Sequence, residues 1–119
     1  MGERIATVGS VVVNVIDLDR GKEFWTALLG VGVAQEVPGF AWLERQHEDG
    51  IVVALQEVNT PKQGRNRVHM DTGVPDLDEG QRRIEEIGGT LVEEHEVPGY
   101  RWRIMADPEG NEFCIGVHQ

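Results

Sequence analysis

The chain carries the same local pattern twice. The segment VPGFAW at 37–42 returns as VPGYRW at 97–102, sixty residues on, and DLD at 17–19 returns at 76–78, fifty-nine residues on. Each DLD follows a valine-containing strand pattern and opens a helix pattern. Each helix pattern runs into glycine, at Gly30 in one half and at Gly88 and Gly89 in the other. One such match could arise by chance; several in the same order at nearly one offset could not. A chain of 119 residues is then one domain, 1–119, made of two like-folded modules. They span about 5–58 and about 67–118, and the polar stretch NTPKQGRN at 59–66 links them.

Within each module the periodicity changes in the same order. A strand pattern at 9–16 or 67–74 comes first, then a helix with Asp17 or Asp19, and Asp76 or Asp78, as candidate N-caps. Phe24, Trp25, Leu28 and Leu29 form the apolar stripe of the first helix, and Leu77, Ile84 and Ile87 that of the second. Three short strand patterns follow, at 32–36, 40–45 and 51–58, then at 90–95, 100–105 and 112–117. Pro-Gly, Asp-Gly and Pro-Glu-Gly turns punctuate them. The plan is βαβββ twice, an α+β fold rather than a wound parallel sheet.

Alternation assigns the strand faces. Ser10, Val12 and Asn14 share one face of the first strand, with Val11, Val13 and Val15 opposite. Arg67, His69 and Asp71 share one face of the fifth, with Val68, Met70 and Thr72 opposite. In the last strand Phe113, Ile115 and Val117 oppose Glu112, Cys114, Gly116 and His118. One face of the sheet is thus apolar and suited to the helices. The other is mixed and polar, as the lining of a ligand cup would be.

Composition narrows the partners. A formal charge of −10 argues against a nucleic-acid backbone or an anionic membrane, both of which call for a basic patch. No apolar run approaches the ~20 residues of a membrane span. The start MGERIATVG lacks the basic and apolar regions of a signal peptide, and a single cysteine permits no internal disulfide. These features fit a cytoplasmic protein.

The stretches VVVNVIDLDRGKEFWTALLG, RVHMDTGVPDLD and ADPEGNEFCI resemble the vicinal oxygen chelate superfamily, which includes glyoxalase I, bleomycin-resistance proteins and extradiol dioxygenases. More narrowly, the chain is similar to the small glyoxalase-like domain proteins of bacteria. The resemblance implies paired βαβββ modules forming a curved mixed sheet around a cup, commonly in a homodimer. It also implies one divalent metal such as Zn, Ni, Fe or Mn, held by His or Gln from first strands and Glu from last strands, acting as a Lewis acid on a small-molecule substrate. Carried over residue by residue, the pattern falls on Ser10, His69, Gln56 (or Ala54 without a two-residue slip) and Cys114. Only His69 keeps the implied type. The expectation is therefore a cup for a small organic ligand with a degenerate metal site, in a binding or sequestering role. The alternative is a lyase or isomerase using a weakened site with His69, Gln56 and Cys114 as metal candidates.

Individual residues leave alternatives open. His69 could ligate a metal, act with Asp71 as an acid–base or ligand-contacting pair, or be a structural histidine. Cys114 beside His69 could be site chemistry or a small buried filler, since no local cation apart from Arg67 favours a thiolate. Trp42 and Trp102, with Phe40 and Tyr100, are either repeat-related core anchors or an aromatic wall for a flat ligand. Arg101 and Arg103 alternate away from Trp102 and are read as surface residues. Asp107 and Glu109 are read as turn formers, and His47, His95 and His118 as bystanders.

Overall fold

A computed structural model describes residues 4–118. Its elements run β1 (Ser10–Val15), α1 (Leu18–Leu29), β2 (Val33–Val37), β3 (Phe40–Leu43) and β4 (Val52–Glu57). They continue as β5 (Met70–Gly73), α2 (Leu77–Glu86), β6 (Thr90–Val97), β7 (Tyr100–Ala106) and β8 (Glu112–His118). The βαβββ order thus appears twice. The strands form two open four-stranded sheets, ordered β1-β4-β3-β2 and β5-β8-β7-β6. In each, the first strand lies parallel to the last and the remaining pairs are antiparallel.

The local signals resolve the open choices. Asp17 caps α1 by accepting from the Arg20 N–H, and Asp76 caps α2 by accepting from the Glu79 N–H. Gly30, at φ 68°, ends α1 in the left-handed conformation that side chains resist. Gly39 and Gly99 stand at φ 82° and 83°, each after a proline, which suits the two Pro-Gly turns to their repeated hairpins.

One element is shorter than its pattern. The strand expected over 67–74 begins only at Met70, opposite Phe113 of β8. The Asn66 side chain donates to the carbonyls of Val68 and Glu112, which turns the chain aside before the ladder begins. Val68, expected on the helix side, is consequently 84% exposed, and Arg67 and His69 precede the strand rather than belonging to it.

A single core receives both helices and the inner faces of both sheets. Val15, Leu43 and Leu55 come from the first sheet, Phe24 and Trp25 from α1, Ile84 from α2, and Met105, Phe113 and Ile115 from the second sheet. Trp25 packs on Phe113 at 5.3 Å between ring centroids, and its indole N–H donates to Asp107 at 3.0 Å. Burying side chains of this size stabilises by roughly 1.5–3 kcal/mol each. Because the helix-bearing faces share this core, the opposite faces of the two sheets point away from it.

The turn Asp107–Asn111 ties the modules together. Asp107 accepts from the Glu109 and Asn111 N–H groups, while the Glu109 carboxylate reaches the other module and accepts from the N–H groups of Ile16 and Asp17. The residues read as local turn formers are therefore also a tertiary clamp. Arg103, read as surface, is only 8% exposed: it runs beneath α2 and pairs with Asp78 at 2.8 Å and Glu94 at 3.2 Å. Its alternation away from Trp102 is correct, but that direction leads under the acidic first turn of the helix.

Candidate functional site

The outward face of the second sheet holds the chemistry. Asp71 of β5 and Cys114 of β8 are direct neighbours in the parallel pairing, and the ring of His69, just ahead of β5, reaches both side chains. Cys114 is 3% exposed yet stands apart from the helix-side core that its neighbours Phe113 and Ile115 enter. Its Sγ lies 3.5 Å from His69 Nδ1, and the same nitrogen lies 3.3 Å from Asp71 Oδ1. Among the described residues these three form the one group of His, Cys, Asp or Glu side chains close enough to share an ion, their ligand atoms all within 4.8 Å of one another.

The electrostatics disfavour a thiolate nucleophile. Burial pushes the Cys114 thiol up to about 11, and the nearby carboxylates of Asp71 and Glu112 add to the shift. A relay would also place thiol and carboxylate on opposite imidazole nitrogens, whereas both converge on Nδ1.

The outward face of the first sheet is built differently. Ser10 stands beside Val52, Val12 beside Ala54, and Asn14 beside Gln56. Ala54 therefore neighbours β1 as Cys114 neighbours β5, and Gln56 lies two residues beyond, exposed and opposite Phe40. Ser10, Gln56 and Arg67 are exposed and lie outside the His69 cluster.

Aromatic rings occupy the outward faces of β3 and β7. Phe40 and Trp42 lie 4.4 Å apart, and Tyr100 stacks on Trp102 at 5.4 Å. All four are half-buried and outside the core cluster, so they are not core anchors. His95, read as a loop bystander, lies in β6 and stacks on Trp102 at 5.0 Å while bonding to Glu93. Tyr100 covers Gly116, where a Cβ would run into its hydroxyl. The His118 side chain lies outside the described residues.

A concavity of about 690 Å³ follows the seam between β1, the linker and β5. Val12, Asn14, Pro61, Lys62, Val68 and His69 are among its walls. Sequence reasoning missed the linker's part in it. Glu112, 8% exposed, accepts from Arg65 Nε at 2.7 Å and pairs with Lys62 at 3.5 Å, pinning residues 62–66 along β8. The only cue was the basic pair Lys62 and Arg65 within an acidic chain.

Two open four-stranded sheets, each built by a βαβββ module, match the glyoxalase-like fold of the vicinal oxygen chelate superfamily. The chain matches the Glyoxalase-like domain family over residues 10–116 and belongs to that family. It is 31% identical over 114 residues to Glyoxalase 1 of Caenorhabditis briggsae and 29% identical over 114 residues to Glyoxalase 1 of Caenorhabditis elegans, covering 88% of this chain in each case. It spans 40% of the length of these relatives. Among solved structures it is similar to a fosfomycin resistance protein of Listeria monocytogenes, an E126Q mutant complexed with Mn(II) and 1S,2S-dihydroxypropylphosphonic acid. That match has TM-score 0.80 and 17% identity, covering 98% of this chain and 93% of the other. A glyoxalase/bleomycin resistance protein/dioxygenase from Nocardioides matches with TM-score 0.77 and 19% identity, covering 98% and 86%. No helix among the described residues is long and apolar enough to cross a membrane.

Proposed function

We propose that the protein binds or sequesters a small planar organic molecule, as a dimer in the cytoplasm, without the hard-metal centre that its family implies. The observation that carries this reading is the division of the outward faces into aromatic surface and an altered donor set. Hard divalent cations favour anionic oxygen ligands. The positions that the family gives to metal ligands hold a hydroxyl at Ser10, an imidazole at His69, a methyl at Ala54 or an amide at Gln56, and a thiol at Cys114. That set does not fit such an ion. Phe40 and Trp42 on one face, and Tyr100 and Trp102 on the other, offer flat apolar area to a flat ligand. Fosfomycin resistance proteins on the same fold lend support to small-molecule handling.

Tryptophan fluorescence tests the reading, because Trp25 is buried and only Trp42 and Trp102 face outward. Titration with proflavine, a planar aromatic cation suited to the acidic chain, should quench emission saturably. Trp102→Ala or Trp42→Ala should weaken binding about tenfold, as loss of one stacking contact implies. Saturable quenching that neither variant changes, or no saturable binding across a panel of planar compounds, would refute it.

A second reading, a lyase or isomerase with a weakened divalent-metal site, draws on the Glyoxalase 1 relatives and the retained His69. One stoichiometric manganese or nickel ion lost in His69→Ala would favour it over the first.

A further inference from the structure

We propose that the seam between the modules is a second binding site, for a small monocarboxylate that carries an apolar body. It lies apart from the aromatic faces invoked above, since none of Phe40, Trp42, Tyr100 or Trp102 lines it. The two sites therefore stand or fall separately.

The walls of the concavity are largely hydrocarbon. Val12 of β1, Pro61 of the linker, and Val68 and Met70 at the start of β5 line it, and buried Trp25 bounds it on the core side. Its volume of about 690 Å³ lies in the range of sites for small organic molecules. Val68 is 84% exposed and Val12 43% exposed, so both leave apolar area in water. A ligand body laid between them removes that area from water.

The polar groups at the seam set the charge of the ligand. Between Glu57 and Asp71 the sequence has no acidic residue, yet Lys62, Arg65 and Arg67 fall there, in a chain of net charge −10. Of these three, Lys62 lines the concavity, with its side chain only 19% exposed. An ammonium has three N–H donors. One goes to the Gly64 carbonyl and a second pairs with Glu112 at 3.5 Å, so a third remains for a ligand oxygen. Glu112 itself is held more closely by Arg65 Nε, at 2.7 Å, and also accepts from the Asn66 N–H at 3.3 Å. Beside an apolar space a charge-assisted bond to that ammonium is strong. A single negative charge balances Lys62, whereas a dianion would set its second charge against the Glu112 carboxylate.

Trp25 reports on the site. Trp42→Phe with Trp102→Phe leaves it as the only tryptophan and removes both indoles of the aromatic faces. In that background 8-bromooctanoate, whose bromine quenches indole on contact, should quench emission saturably, and octanoate should displace it. Octylamine should not displace it, and octanol should bind at least about tenfold more weakly than octanoate. Affinity should rise about fourfold per methylene from hexanoate to octanoate, as burial of hydrocarbon implies. Lys62→Met should weaken octanoate at least about tenfold and leave octanol unchanged, since only the acid uses the ammonium. Val68→Asp alters an exposed wall residue, so the fold is kept while its negative charge repels the acid and weakens binding. Absence of saturable quenching overturns the proposal, as does displacement by octylamine as effective as that by octanoate. An octanoate affinity unchanged in Lys62→Met or in Val68→Asp overturns it too, because the acid then binds elsewhere.

Discussion

The clamp between the modules yields a quantitative expectation. Glu109 accepts the Ile16 N–H at 2.6 Å and the Asp17 N–H at 2.8 Å, with its side chain 10% exposed. In Glu109→Gln one oxygen still accepts, but the other becomes an NH2 facing an N–H. One hydrogen bond to a charged group disappears, worth roughly 1.5–3 kcal/mol. The negative charge beside the start of α1 is lost as well, about another 0.5 kcal/mol. The expected destabilisation is about 2–3 kcal/mol, or roughly 10 °C in Tm for a domain near this size. Urea unfolding followed by circular dichroism measures it. Arg20→Ala is the control: Arg20 approaches Glu109 at 3.4 Å but is 50% exposed, so its loss should cost at most about 1 kcal/mol. If Glu109→Gln stays within about 0.5 kcal/mol of the parent while Arg20→Ala costs more, the clamp is not where the modules are held.

Cys114 should react with iodoacetamide about a hundredfold more slowly at pH 8 than an ordinary thiol, accelerating as pH rises towards about 11. The folded thiol holds its proton above its ordinary value of 9.0, so its contribution to stability is full below pH 9 and lost between there and about 11. Denaturation midpoints across that window should fall in the parent and fall less in Cys114→Ala. The proposed homodimer should scatter light as about twice the 13.3 kDa chain at micromolar concentration, and a monomer throughout that range would remove it.

Much of the frame was legible because it rests on local, repeated signals. The DLD caps, the Pro-Gly hairpins and the alternation of β1 and β8 each depend on residues close in sequence. What stayed hidden depends on distant partners. Nothing local says that Glu109 meets Ile16, 93 residues away, or that Arg103 enters a space beneath Asp78. Asn66 shortened β5 through a carbonyl of β8, again a contact without a sequence signature. The polar cluster was partly legible: His69 and Cys114 matched family positions and Asp71 shared their alternation. Only the fold brings Asp71 and Cys114 together onto one nitrogen of His69.

The duplication also explains why the two outward faces can differ so much. Repeat symmetry is enforced where both modules share the core, and there the apolar positions of β1, β4, β5 and β8 must fit the same pair of helices. Ala54 and Cys114 face away from that core, so although both are buried they do not have to fit the helices. One face has become apolar and aromatic, with Val12 and Trp42 around Ala54. The other has gathered an imidazole, a carboxylate and a thiol beside its own aromatic pair, Tyr100 and Trp102. The seam concavity of one chain takes Val12 and Asn14 from the first module and His69 from the second, and the proposed dimer would set the remaining outward area against a second copy. Partly exposed Val37 and Val97 on those faces supply apolar area for such a contact. In that arrangement the proposed dimer would cover aromatic area from both sheets, Phe40 and Trp42 on one and Tyr100 and Trp102 on the other, so dissociation would return these rings to solvent without unfolding either chain.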